Sequence, residues 1–165
     1  MARYYRSLAI APLSIEARRR DNGVTITHRR NAMSSVSEVA AAPAAAAQAH
    51  FEAQLEFETD CWDVHHALAH EHAHGKDFVL LDVRSAALFA AGHIPGAVHL
   101  PHGKIVPAKL AGYPADTLFV AYCAGPHCNG AARAAIRLAR LNRPVKIMAG
   151  GVTGWIDEGF ILERA

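Results

Sequence analysis

Leu118-Phe119-Val120-Ala121-Tyr122-Cys123-Ala124-Gly125-Pro126-His127-Cys128-Asn129-Gly130 passes from an apolar run through a turn, and the next twelve residues read AARAAIRLARLN. The near-continuous apolar run predicts a strand buried on both faces, the kind a parallel sheet uses. Gly125-Pro126 predicts the turn. After Gly130, Ala134, Ala135, Leu138 and Leu141 fall at core-facing helical spacing, while Arg133, Arg137 and Arg140 step along another stripe. Strand, loop and helix in this order are one repeat of an α/β protein.

Phe78-Val79-Leu80-Leu81-Asp82-Val83 predicts a second buried strand and Val145-Lys146-Ile147-Met148 a third, closed by Gly150-Gly151. Trp155-Ile156 is expected to open a last short helix. Upstream, AAAAQAHFEAQLEFE from Ala44 predicts a helix with Phe51 and Leu55 on one face. Thr59 and Asp60 are N-cap candidates for a helix through Trp62, Val64, Ala67 and Leu68, ending before Gly75. Alternating strands and helices imply an α/β fold, a three-layer parallel sheet with flanking helices and right-handed crossovers. Ligands of such sheets bind at the carboxyl ends of the strands, where Cys123 stands.

The chain has 165 residues, 52% hydrophobic and 19% charged, which argues for one domain with tails and excludes collagen-like and wholly disordered classes. The formal charge of +2 is uneven: residues 1–33 hold seven arginines against Glu16 and Asp21, leaving the remainder at −3. A mildly acidic body has no footprint for nucleic acid. No apolar run approaches a membrane span, the tract from Val39 to Ala47 being short and broken by Pro43. Cys61, Cys123 and Cys128 form no paired framework, which suits free thiols in a reducing compartment, the cytoplasm.

The expected organisation is a basic disordered leader or mis-assigned start over 1–33, an Ala-rich linker and N-terminal helix over 34–58, and the folded domain over 59–165. A targeting peptide fits the leader less well, because its apolar piece is short and Glu16 is followed by three arginines. His65, His66, His70, His72 and His74 include i, i+4 pairs that can chelate a metal, but no carboxylate or cysteine set accompanies them. They read as a solvated helix end, and neither a metal nor a cofactor is expected.

A loop entering a helix turns backbone N–H groups inward and adds the positive end of the helix dipole, so residues 123–130 form an anion cradle. A cysteine at its start is held towards the thiolate, the nucleophilic form. Cys123 is therefore the expected nucleophile. Cys128 admits three readings: a residue of packing or loop shape, placed first, then a resolving thiol paired with Cys123, or a second sulfur carrier. Cys61 is given no role.

Leu81-Asp82-Val83-Arg84, Gly92-His93-Ile94-Pro95-Gly96-Ala97, Tyr122-Cys123 and Gly150-Gly151-Val152-Thr153-Gly154-Trp155, in that order, resemble the rhodanese (sulfurtransferase) family over about residues 59–160. The resemblance implies a rhodanese-like fold in which Cys123 takes a sulfane sulfur from a small donor such as thiosulfate. Cys123 then carries it as a persulfide to a thiol, to cyanide, or to a sulfur-relay protein. It implies that the backbone of Ala124, Gly125, Pro126, His127, Cys128 and Asn129 cradles the outer sulfur, that Asp82 and Arg84 brace the loop, and that His93 is mainly structural.

The loop departs from the family's Cys-x-x-Gly-x-Arg-Ser form: Cys128 stands at the arginine position and Asn129 follows it. It resembles a Cys-x-Gly-Pro-x-Cys-Asn subgroup of single-domain members. Leu88 and Phe89 stand where an acidic residue often precedes Gly-His. The missing cation leaves anionic donors to backbone N–H groups and His127. It also argues against the related Cys-x5-Arg phosphatases, whose clamp would fall at Asn129. The remaining rivals are Cys128 as nucleophile with Arg133 five residues on, a redox protein using the Cys123/Cys128 pair, and a non-catalytic partner-binding module.

Overall fold

The computed structural model describes residues 34–70 and 77–164. The leader of residues 1–33, and His72 and His74, therefore lie outside the described residues. The chain divides into two units, Met1–Ala41 and Ala42–Ala165. In the described part of the first, the amides of Ser37 and Glu38 both donate to Ser34 O at 3.0 Å, closing one turn.

The second unit carries a five-stranded sheet in the order β1-β5-β4-β2-β3. The strands are β1 (Glu58–Thr59), β2 (Phe78–Asp82), β3 (Val98–His99), β4 (Leu118–Tyr122) and β5 (Val145–Met148). Every pairing is parallel, with Asp82 opposite Tyr122 and Ala121 opposite Ile147. The helices are α1 (Ala44–Phe57), α2 (Cys61–His70), α3 (Ala86–Ala91), α4 (Pro107–Leu110), α5 (Gly130–Arg140) and α6 (Gly151–Asp157), with a 3-10 turn at His102–Lys104.

The apolar runs fill both faces because side chains alternate along a strand. Leu81, Val83, Phe119, Ala121 and Cys123 pack with Leu110 of α4 and Ala131, Ala134 and Leu138 of α5. Phe78, Leu80, Val120 and Tyr122 point the other way, against Cys61 and Val64 of α2 and Val152 and Trp155 of α6. Each large side chain so buried contributes roughly 1.5–3 kcal/mol. The sheet is thus a middle layer between two helical layers.

Several elements differ from expectation. Thr59 lies in β1, and Asp60 alone caps α2, its Oδ1 accepting from the Asp63 amide at 2.8 Å. The last helix opens at Gly151 rather than at Trp155, because Gly150 (φ 83°) and Gly151 (φ 57°) turn the chain into it. Helix α1 forms, yet Phe51 and Leu55 face solvent and none of its residues is buried. It is tethered by Lys146 Nζ, which donates to Leu55 O at 2.8 Å.

Candidate active site at the end of the central strand

Strand β4 runs through the middle of the sheet and ends at Tyr122, so Cys123 lies at its carboxyl end, only 7% exposed. The segment from Ala124 to Asn129 then rises into α5. Cys128 N donates to Gly125 O at 3.0 Å and closes the turn. The amides of Ala124, Gly125, His127 and Asn129 meet no acceptor among the described residues, which leaves donors for an anion. Ala124, Pro126, His127 and Asn129 are exposed, with Gly125 and Cys128 half-buried.

Cys123 and Cys128 are joined by a disulfide, with Cα atoms 6.2 Å apart. This corrects two expectations: Cys128 does more than shape the loop, and free thiols hold only for Cys61. The pairing is possible because the turn brings two cysteines five residues apart within the ordinary Cα range of a disulfide. Gly130 N donates to Cys128 Sγ at 3.4 Å. A β-carbon at Gly130 would lie 2.7 Å from Cys123 Sγ and 3.3 Å from Cys128 Sγ, so only glycine leaves room for both sulfurs.

The loop is held from α6 rather than by Asp82 and Arg84. Val152 N donates to Cys123 O at 3.1 Å, and Thr153 donates to Ala124 O through both its amide (2.9 Å) and its Oγ1 (3.0 Å). Thr153 and Gly151 were missed as loop supports, although the Gly150–Trp155 motif that holds them was read. A helix N-terminus beginning with two glycines, followed by a hydroxyl residue, was the available signal.

Asp82 and Arg84 instead fasten the end of β2 to the Gly92–Ile94 turn. Arg84 Nε donates to Asp82 Oδ1 (3.0 Å), and Arg84 Nη2 donates to Asp82 Oδ2 (2.5 Å) and to Gly92 O (2.6 Å). Tyr122 OH donates to Asp82 Oδ2 at 2.8 Å and accepts from Ile94 N at 3.1 Å. Burial and then the charge of Asp82 push the Tyr122 hydroxyl far above its ordinary range, so it stays a proton donor. Burial works against the Arg84 cation, but Asp82 outweighs it and the net shift is upward. The network meets Cys123 only through the backbone, since Tyr122 directly precedes it.

His93 follows α3 and is 8% exposed. Its ring stacks on Phe89 with centroids 3.8 Å apart, Nδ1 lies 3.1 Å from Phe89 O, and its backbone exchanges two 2.8 Å bonds with Glu163. His65 is half-buried rather than solvated, stacked on Phe160 at 3.8 Å. Among the described residues no three His, Cys, Asp or Glu side chains gather where they could hold a metal ion. No helix among them is long and apolar enough to cross a membrane.

Cys61 is the buried third thiol, donating to Ala149 O at 3.3 Å. Burial, then Asp60, Glu158 and Asp157, push its pKa from 9.0 to about 11. Between those values the folded state keeps a proton that the unfolded state releases, so this thiol's contribution to stability falls as pH rises. Cys61→Ala is expected to flatten the alkaline limb of the stability curve measured by urea unfolding between pH 8.5 and 11. An unchanged slope would contradict the assignment.

Residues 65–158 match the family described as Rhodanese-like domain, and the chain belongs to that family. A crystal structure of a Bacillus halodurans protein aligns with a TM-score of 0.68 at 31% identity, over 73% of this chain and 85% of that one. The rhodanese-like domain protein of Staphylococcus aureus aligns with a TM-score of 0.54 at 25% identity, over 66% of this chain and 98% of that one. Among curated proteins, an HTH-type transcriptional regulator of Mycobacterium tuberculosis is 38% identical over 90 residues. That match takes in 50% of this chain and 39% of the regulator, so the chain spans well under half of that relative's length.

Proposed function

We propose that this protein is a sulfurtransferase that carries sulfane sulfur on Cys123. The observation that carries the reading is the placement of Cys123 at the carboxyl end of the central strand, under a loop whose amides at Ala124, Gly125, His127 and Asn129 are unengaged among the described residues. In the reduced protein the Cys123 thiolate attacks the donor's outer sulfur. A bond forms between Cys123 Sγ and that sulfur, and the donor's S–S bond breaks, its electron pair leaving with sulfite when thiosulfate is the donor. The unengaged amides hold the negative charge of the persulfide, an electrostatic role like that of an oxyanion hole. A nucleophilic acceptor then takes the outer sulfur and returns Cys123 as thiolate. Asp82, Arg84 and His93 hold the scaffold and touch no reacting atom.

The test uses protein reduced and freed of reductant, mixed with thiosulfate or with a small-molecule persulfide in the presence of cyanide. Thiocyanate is expected from the wild type with at least one donor, and none above background from Cys123→Ser. Activity retained in Cys123→Ser and lost in Cys128→Ser would move the nucleophile to Cys128. Two other readings each have one observation. The disulfide favours thiol–disulfide exchange by the Cys123/Cys128 pair, and the likeness to a transcriptional regulator favours a partner-binding module. Thiocyanate formation speaks against both as the whole function.

A further inference from the structure

Cys123 and Cys128 are bonded in the same loop that would seat the Cys123 persulfide. The two states exclude one another, because a sulfur bonded to Cys128 cannot carry a second sulfur. The chemistry that converts one into the other needs no outside oxidant. We propose that Cys128 is the internal acceptor of the Cys123 persulfide: it attacks Cys123 Sγ, forms the Cys123–Cys128 disulfide and expels the outer sulfur as hydrosulfide. This rests on Cys123 being the sulfur carrier.

The step conserves atoms and electrons. The bond between Cys123 Sγ and the outer sulfur breaks, and its electron pair leaves with the outer sulfur. The proton of the Cys128 thiol goes with it, giving hydrosulfide. The sulfane sulfur is reduced by two electrons, and the two cysteines supply them on becoming a disulfide. A dithiol reductant then returns both thiols for the next turnover. The net activity is the reduction of sulfane sulfur to sulfide at the expense of a dithiol.

Three features of the loop suit this assignment. The first is reach: the Cα atoms are 6.2 Å apart and the intervening turn is closed by the bond from Cys128 N to Gly125 O, so attack needs no opening of the fold. The second is polarity. The Gly130 amide, at the start of the 11-residue helix α5, donates to Cys128 Sγ and stabilises negative charge there, which favours the attacking thiolate. The third is access. Cys123 is 7% exposed while Cys128 is half-buried, so an incoming reductant meets Cys128 first. Attack at Cys128 expels Cys123 as the leaving thiolate, ready for a new donor. Cys61 offers no alternative partner, since its thiol is packed under α6 and donates to Ala149 O and Gly151 O.

The experiment is a single turnover without cyanide. Fully reduced protein, freed of reductant, receives one equivalent of the donor that supports thiocyanate formation, and sulfide and intact mass are followed together. The wild type should release about one sulfide per chain, as the stoichiometry above requires, and end lighter by the hydrogens of two thiols. Cys128→Ser should gain one sulfur atom that cyanide removes, release no sulfide on that timescale, and hold its persulfide at least about tenfold longer. That margin reflects intramolecular attack replacing encounter with an outside thiol. Wild type that keeps its added sulfur as long as Cys128→Ser, with no sulfide released, would overturn the internal-acceptor role while leaving the carrier role intact. Failure of every donor to load either form, with or without cyanide, would overturn the carrier reading itself.

Discussion

Asp82→Ala should lower the free energy of unfolding by about 3–5 kcal/mol, the cost of leaving a buried charge without its partner. Asp82 is fully buried and Arg84 8% exposed, so the guanidinium stranded by the substitution cannot turn to water without disturbing the end of β2. It would keep its bond to Gly92 O, and Tyr122 OH would lose its acceptor while still receiving the Ile94 amide. The pair itself is weak grounds for net stability, because desolvating both ions offsets most of their attraction. Its removal as a unit should therefore cost much less: Asp82→Ala with Arg84→Met should recover at least about half of the single-variant loss, a coupling that a double-mutant cycle reads directly. Denaturant unfolding at constant m-value checks both. A single-variant loss under about 1 kcal/mol would show that the pair is already well solvated.

That network joins motifs that the sequence displays only separately. Leu81-Asp82-Val83-Arg84 and Gly92–Ala97 were legible as motifs, and Asp82 and Arg84 were expected to brace the cysteine loop. They brace the Gly92–Ile94 turn instead, because Arg84 reaches Gly92 O across eight residues and Tyr122 joins the two through its hydroxyl. Contacts between motifs distant in sequence carry no local signature. The long strands β2, β4 and β5 were legible because continuous apolar runs mark burial on both faces. Two-residue strands such as β1 and β3 have no period to detect, and α3 and α4 are too short for an amphipathic stripe. The strand-to-helix placement of Cys123 followed from its local sequence. Its bond to Cys128 did not, because whether two cysteines five residues apart meet depends on the turn between them.

Gly151→Ala should damage the site more than its size suggests. Gly151 has φ 57°, a region where a β-carbon costs roughly 1–2 kcal/mol. The added carbon would also lie 2.5 Å from Cys123 O, 2.9 Å from Gly125 N and 3.1 Å from the Ala124 carbonyl carbon. All three are backbone atoms, so no flexible side-chain end can swing aside. Relief requires the first turn of α6 to part from the cysteine loop, which stretches the bonds from Val152 N to Cys123 O and from Thr153 N to Ala124 O. Those bonds fix where Cys123 presents its sulfur, and a displacement near 1 Å at a reacting centre costs on the order of 100-fold in rate. We expect a stability loss of at least about 2 kcal/mol together with a fall of that order in thiocyanate formation. Gly103→Ala is the control, since a β-carbon there meets nothing within 4 Å and should shift stability by no more than about 0.5 kcal/mol. If Gly151→Ala folds with wild-type stability and transfers sulfur at the wild-type rate, the contact between α6 and the loop does not position the nucleophile.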